Sequence, residues 1–186
     1  MNNVEAFKNE LRNYHYYINV YKKYSKIHKE VITLDNEDTA KYVLLKSFND
    51  RLKVEEGKLD EIFTKLTGFK AIRYDIEHFS ISEELSNEMK LDLIDKYNVQ
   101  LAIYNKALKE AENNLVEEMK RIKTQIDYIE NVLMKVPDKI AKVCIDIYCN
   151  GKKYEDISNG NNVFWSASGV YWNVNKELER ALGDNQ

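Results

Sequence analysis

The stretch PDKIAKVCIDIYCNGKKYEDISNGNNVFWSASGVYWNVNKELERAL, residues 137–182, decides the fold of this chain. Ile140, Val143, Cys144, Ile147 and Tyr148 give its first segment an apolar face at helical spacing, and Pro137 stands at a helix start, where proline is best tolerated. Asn150-Gly151 stops that helix. A second helix of barely two turns carries Tyr154 and Ile157, with the small Ser158 after it, and Asn159-Gly160-Asn161-Asn162 reads as a turn. Ser166 or Ser168 can cap a third helix by accepting a backbone N–H, and Val170, Val174, Leu178 and Leu182 then fall four apart on its buried side. Gly169, Trp172, Asn173 and Lys176 are expected on the opposite side. Helix, short helix, turn and capped helix is the order of parts in a helix-turn-helix, whose outer face lies in the DNA major groove.

Working toward the N-terminus, Ile94, Tyr97, Leu101, Tyr104, Leu108, Ala111, Leu115, Met119, Ile122, Ile126, Ile129, Leu133 and Val136 step by three and four. This spacing predicts one long helix with a coiled-coil seam, started by Ser82 as cap with Glu83 and Glu84 in its first turn. Two successive steps of four, from Ala111 through Leu115 to Met119, form a stutter that locally unwinds such a seam. Val4, Phe7, Leu11, Tyr14, Ile18 and Tyr21 mark a second amphipathic helix at the start of the chain. A middle helix is expected over about 38–66, weakened by Gly57 and ended by Thr67-Gly68, with an ordered connector over 69–82. The expectation is therefore an all-α protein with a long helical, coiled-coil-like scaffold over 1–135 and a helix-turn-helix over 136–186.

Composition sets limits on function. The chain has 186 residues, six glycines and one proline against 32 % charged residues, enough to bury a core without disulfides or metal. Cys144 and Cys149 are five apart, point to different faces and lack the partners of a zinc site, so reduced thiols and a cytoplasmic location are expected. No apolar run approaches the roughly 20 residues of a membrane span, and a start containing Asn2, Asn3 and Glu5 is unlike a signal peptide. No phosphate-cradling glycine loop, catalytic pair or zinc motif is visible, and His15, His28 and His78 are scattered; no enzyme activity and no cofactor are expected. The net charge of the chain is −3, and from Asp138 to Gln186 there are six basic side chains and seven acidic ones, so DNA binding by one such module is expected to be weak, or helped by dimerisation or another protein.

The segment Tyr148-Cys149-Asn150-Gly151-Lys152-Lys153-Tyr154-Glu155-Asp156-Ile157-Ser158, followed by Ser166 through Leu182, resembles the ArpU/RinA-type regulators of late genes in phages and prophages of Gram-positive bacteria. In that family the C-terminal part is similar to domain 4 of bacterial sigma factors. Gly68-Phe69-Lys70-Ala71-Ile72-Arg73-Tyr74-Asp75 before a long helix is similar to the family's connector and coil. Two departures are visible: the turn between Ile157 and Ser166 is longer than in the simplest motif, and the third helix carries few basic residues. The resemblance implies a transcription regulator that binds double-stranded promoter DNA, with or without RNA polymerase, as a homo-oligomer.

On that reading Trp172 and Asn173 would meet bases, Asn being suited to bidentate recognition of adenine. Lys152, Lys153, Lys176 and Arg180 would position phosphates, and Ser166 and Ser168 belong to the same DNA-binding set at the helix start. Two other readings use the same parts. A DNA-packaging factor resembling a small terminase subunit also joins a helix-turn-helix to oligomerising helices, and a helical protein-binding module would present Trp172 to a partner.

Overall fold

The computed structural model describes residues 3–36, 39–49, 87–158 and 165–183, and every regular element among them is a helix. They are α1 (Asn3–Val31), α2 (Thr39–Asn49), α3 (Asn87–Met134), α4 (Asp138–Cys144, continued by a π turn over Ile145–Cys149), α5 (Tyr154–Ser158) and α6 (Ala167–Gly183). No helix among the described residues is long and apolar enough to cross a membrane. The expected middle helix falls within the description only over Thr39–Asn49; Gly57, Thr67-Gly68, the connector, the Ser82 cap and the turn at 159–162 lie outside the described residues.

Two compact units divide the chain, one formed by residues 1–23 with 119–186 and the other by residues 24–118. In the first, α1 and the C-terminal part of α3 share a core with α4, α5 and α6. The stepping pattern explains why each helix has a face to contribute: Val4, Phe7 and Leu11 from α1, Ile129 and Val132 from α3, Ile140 and Val143 from α4, Ile157 from α5, and Val170, Val174 and Leu178 from α6 form one buried cluster. The Phe7 ring meets Tyr128 edge-on at 5.8 Å, and the Tyr14 hydroxyl donates to Glu130 at 2.9 Å. The apolar core of the C-terminal helices thus reaches back to the first residues of the chain, across the expected boundary at 135/136.

The second unit buries Tyr24, Ile27 and Val31 of α1, Tyr42, Leu45 and Phe48 of α2, and Tyr104, Leu108, Ala111 and Leu115 of α3. Tyr24 and Phe48 meet edge to face at 5.0 Å. A buried lysine in this unit is fully supplied with acceptors: Lys41 pairs with Glu112 and donates to Asn36 Oδ1 at 2.9 Å and to the Leu34 carbonyl at 3.3 Å. Among the described residues most other ion pairs are exposed contacts one helical turn apart, such as Lys26–Glu30 and Lys96–Asp92, each contributing a few tenths of a kcal/mol.

The long stripe of α3 is inward where the described side chains allow a comparison. Tyr104, Leu108, Ala111, Leu115, Ile122, Ile126, Ile129 and Leu133 are buried, while Ile94, Leu101 and Met119 are half-buried. At the far end Pro137 precedes the first residue of α4, and its carbonyl accepts from Ile140 at 2.8 Å and Ala141 at 3.0 Å. The helix stops at the expected Asn150-Gly151, but its last five residues widen into a π turn in which the Asn150 N–H reaches the Ile145 carbonyl at 3.0 Å. Gly151 then takes φ +69° and the Lys152 N–H closes on the Asp146 carbonyl at 3.0 Å, a 7→1 bond one residue wider than the usual 6→1 closure of a glycine-terminated helix, in keeping with the π turn before it. No atom lies within 4 Å of where a Gly151 Cβ would stand, so only the left-handed backbone demands glycine there.

Two consequences can be measured by urea unfolding of the full-length protein. Phe7→Ala removes a fully buried ring and is expected to cost about 3–5 kcal/mol, even though it lies more than a hundred residues from the C-terminal helices it supports. Gly151→Ala meets no clash and is expected to cost only about 1–2 kcal/mol, from backbone strain alone.

Candidate functional site

The C-terminal helices are oriented by what they bury. Val170, Val174 and Leu178 on α6 have no solvent exposure, and the helix packs against α4 and α5. Leu182, expected as the fourth member of that stripe, is half-buried, and Ala181 takes the fully buried place. The reason is drift: at 3.6 residues per turn, successive steps of four advance about 40° each, and a step of three brings the stripe back. Ser166 caps the helix, its Oγ accepting from the Gly169 N–H at 3.2 Å and lying 3.1 Å from the Ser168 Oγ. Gly169 permits this closeness, since a Cβ there would stand 3.3 Å from the Ser166 Oγ and 3.4 Å from the Trp165 Cβ.

With that face inward, Ser168, Trp172, Lys176 and Glu179 form the exposed side of α6. Trp172 is 60 % exposed and the Lys176 ammonium sits 4.9 Å from its ring centroid. Asn173, grouped with them in the sequence reading, is half-buried on the flank, and its Nδ2 donates to the Gly169 carbonyl at 2.8 Å. Asn175 makes the same kind of bond to the Tyr171 carbonyl at 2.8 Å.

The other cations of the candidate set are spread over neighbouring elements. Lys152, after the π turn, pairs with Asp146 at 3.0 Å. Burial pushes the Asp146 carboxyl up, but hydrogen bonds from Lys152 and Asn150 and the charges of Lys152 and Lys142 outweigh it and hold the group below its usual range. Lys153 is exposed, and its backbone N–H donates to the Asp156 carboxylate at 3.2 Å, closing the first turn of α5. Arg180 is engaged on both sides: Nε and Nη2 reach Glu177 Oε2 at 3.0 and 2.9 Å, and Nη2 also donates to the Lys135 carbonyl at 3.2 Å. The arrangement gathers Ser166, Ser168, Trp172 and Lys176 on α6 and its cap, while Lys152 and Arg180 are held by carboxylates.

Three participants were not read from the sequence. Lys139, at the start of α4, lies 5.0 Å from the Trp165 ring centroid, next to the α6 cap. Lys8 of α1, only 4 % exposed, stands 5.4 Å from the Tyr171 ring and 5.8 Å from the Tyr148 ring and pairs with Glu5 at 3.2 Å. Arg12 lies 5.7 Å from the other partner of the same tyrosine group, the Tyr148 ring. Tyr148 and Tyr154 share a hydroxyl hydrogen bond of 2.8 Å, and Tyr154 meets Tyr171 edge-on at 5.7 Å. This chain of rings links α1 to the flank of α6. A signal for Lys8 was present, because a lysine inside the apolar steps Val4, Phe7, Leu11 is placed among buried neighbours.

Burial pushes the Cys144 thiol from 9.0 up to about 12 and the Cys149 thiol up to about 11, and it drives the Tyr148 hydroxyl well above the ordinary tyrosine value, helped by the bond to Tyr154. The Cys149 thiol also donates to the Leu11 carbonyl at 3.2 Å. Each of these groups is neutral in the fold, and each has a folded pKa above its unfolded one. Their contribution to stability is therefore full below about pH 9 and declines as pH rises toward 11–12. Two outcomes are expected: the urea midpoint falls steadily above about pH 9, and at about pH 8 Cys144 is alkylated by iodoacetamide on the order of a thousandfold more slowly in the native protein than in the unfolded chain.

Comparison with protein families, curated proteins and solved structures finds no match to this chain.

Proposed function

We propose that the chain is a phage- or prophage-type transcription regulator whose α5 and α6 act as a helix-turn-helix on promoter DNA, alone or together with RNA polymerase. One observation carries this reading: a short helix followed by a serine-capped helix that buries Val170, Val174 and Leu178 and leaves Ser168, Trp172 and Lys176 outward. A helix held in that way offers its first turns to a groove and keeps its own core closed. Lys139, Lys152 and Lys153 stand on the adjoining elements, where cations in such a motif meet the DNA backbone. The near-neutral charge of the C-terminal segment limits the counterion-release contribution of a single copy, and pairing of two copies on two half-sites supplies the remainder. No catalytic step is assigned to the chain.

A second reading has its own support. Lys152 and Arg180 are bound to carboxylates, and α6 exposes Trp172 and Tyr171, residue types enriched in protein-binding hot spots, so this helix also suits a protein partner.

The test is a salt-dependent binding titration of the full-length protein on pooled phage promoter fragments, with and without RNA polymerase. Selective retention is expected, weakening with salt. The Lys176→Ala variant is expected to bind at least about tenfold more weakly, with a log–log salt slope smaller by about one. Absence of retention under every condition would overturn the reading. Loss of a protein partner but not of DNA on Trp172→Ala would favour the second.

A further inference from the structure

The outer line of α6 contains one large apolar group. Relative to Trp172, Ser168 and Lys176 lie about 40° to either side and Glu179 about 20° away, whereas Asn173 lies about 100° round the helix and Asn175 about 60°. Both asparagines spend a side-chain N–H on their own helix, at the Gly169 and Tyr171 carbonyls, 2.8 Å each. Arg180 is tied to Glu177 and to the Lys135 carbonyl. Glu179 carries the charge that phosphates repel. Trp172 is also the sixth residue of α6, in the N-terminal part that a recognition helix brings to the base edges.

The side chain that stands furthest out is thus a ring, with Lys176 resting 4.9 Å from its centroid. That cation fixes one face of the indole and leaves the rest of it open to a ligand, and Trp172 is 60 % exposed. In the major groove the edges of the four base pairs carry hydrogen-bonding atoms, and only thymine adds an apolar group, its C5-methyl. Resting on the DNA-binding reading of α6, we propose that sequence is read there by apolar contact, with Trp172 taking the C5-methyl group of a thymine and Lys176 holding the indole in place. Trp172 is then the specificity-determining residue and Lys176 a positioning residue that also approaches the DNA.

The experiment uses the full-length protein to select duplexes from a random pool. The enriched duplex is then titrated with each thymine in turn replaced by uracil, which removes only the methyl group, against wild type and Trp172→Ala. At one thymine, uracil is expected to weaken wild-type binding about fourfold, the worth of one apolar carbon taken from water. Trp172→Ala is expected to bind the thymine and uracil duplexes equally. Its far-UV circular dichroism should match wild type, because the ring it removes lies outside the core. Enrichment of a duplex with no uracil effect at any thymine, or an equal uracil effect in Trp172→Ala, would overturn the proposal and leave the DNA-binding reading standing. No enrichment and no retained duplex at any salt concentration would overturn both.

Discussion

The structure of the C-terminal helices depends on one packing constraint: three short elements with little apolar surface of their own must bury it against helices supplied from elsewhere in the chain. α4, α5 and α6 contribute Ile140, Val143, Ile157, Val170, Val174 and Leu178, and the cluster is completed by Phe7 and Leu11 from α1 and Ile129 and Val132 from α3. A module of this size buries a small fraction of its surface and is marginal by itself. Its azimuth is also set from outside, because the face of α6 that points outward is whatever the shared core leaves uncovered.

Polar groups at the seams of that core are paired rather than left bare. Lys8 exchanges hydration for two tyrosine rings and Glu5, Tyr148 shares its hydroxyl with Tyr154, and the Cys149 thiol finds the Leu11 carbonyl. Each such contact is directional, so α1 docks in one register where apolar packing alone would tolerate several. The same logic acts at Arg180, which joins the C-terminal half of α6 to the turn after α3 at the Lys135 carbonyl.

Local features were legible in the sequence because local physics decides them. The stop at Asn150-Gly151, the serine cap of α6 and the inward stripes of α3 and α6 all follow from backbone preference and helical spacing over a few residues. The stripe on α1 was legible too, as a seam able to satisfy the long one in one chain or across a dimer, but spacing does not choose between these, so the docking of Val4, Phe7 and Leu11 onto residues 129–181 was not. The π turn at Ile145–Cys149 has no composition cue, and the Ile147 and Tyr148 it carries are buried in a core made largely by distant residues. For the site, Trp172 and Lys176 were readable from their place opposite Val170 and Val174; the tying of Asn173 to Gly169 and of Arg180 to Glu177 depends on rotamers that spacing does not specify.

The sharing of one core between residues 4–11 and residues 129–181 has a consequence for synthesis. The apolar face of α1 leaves the ribosome more than a hundred residues ahead of these partners. At about 5–20 residues per second, that face waits on the order of ten seconds before the helices that cover it exist. Through that interval the face of α1 lacks these partners, and closure of the unit is an event of high contact order that awaits the synthesis of α6.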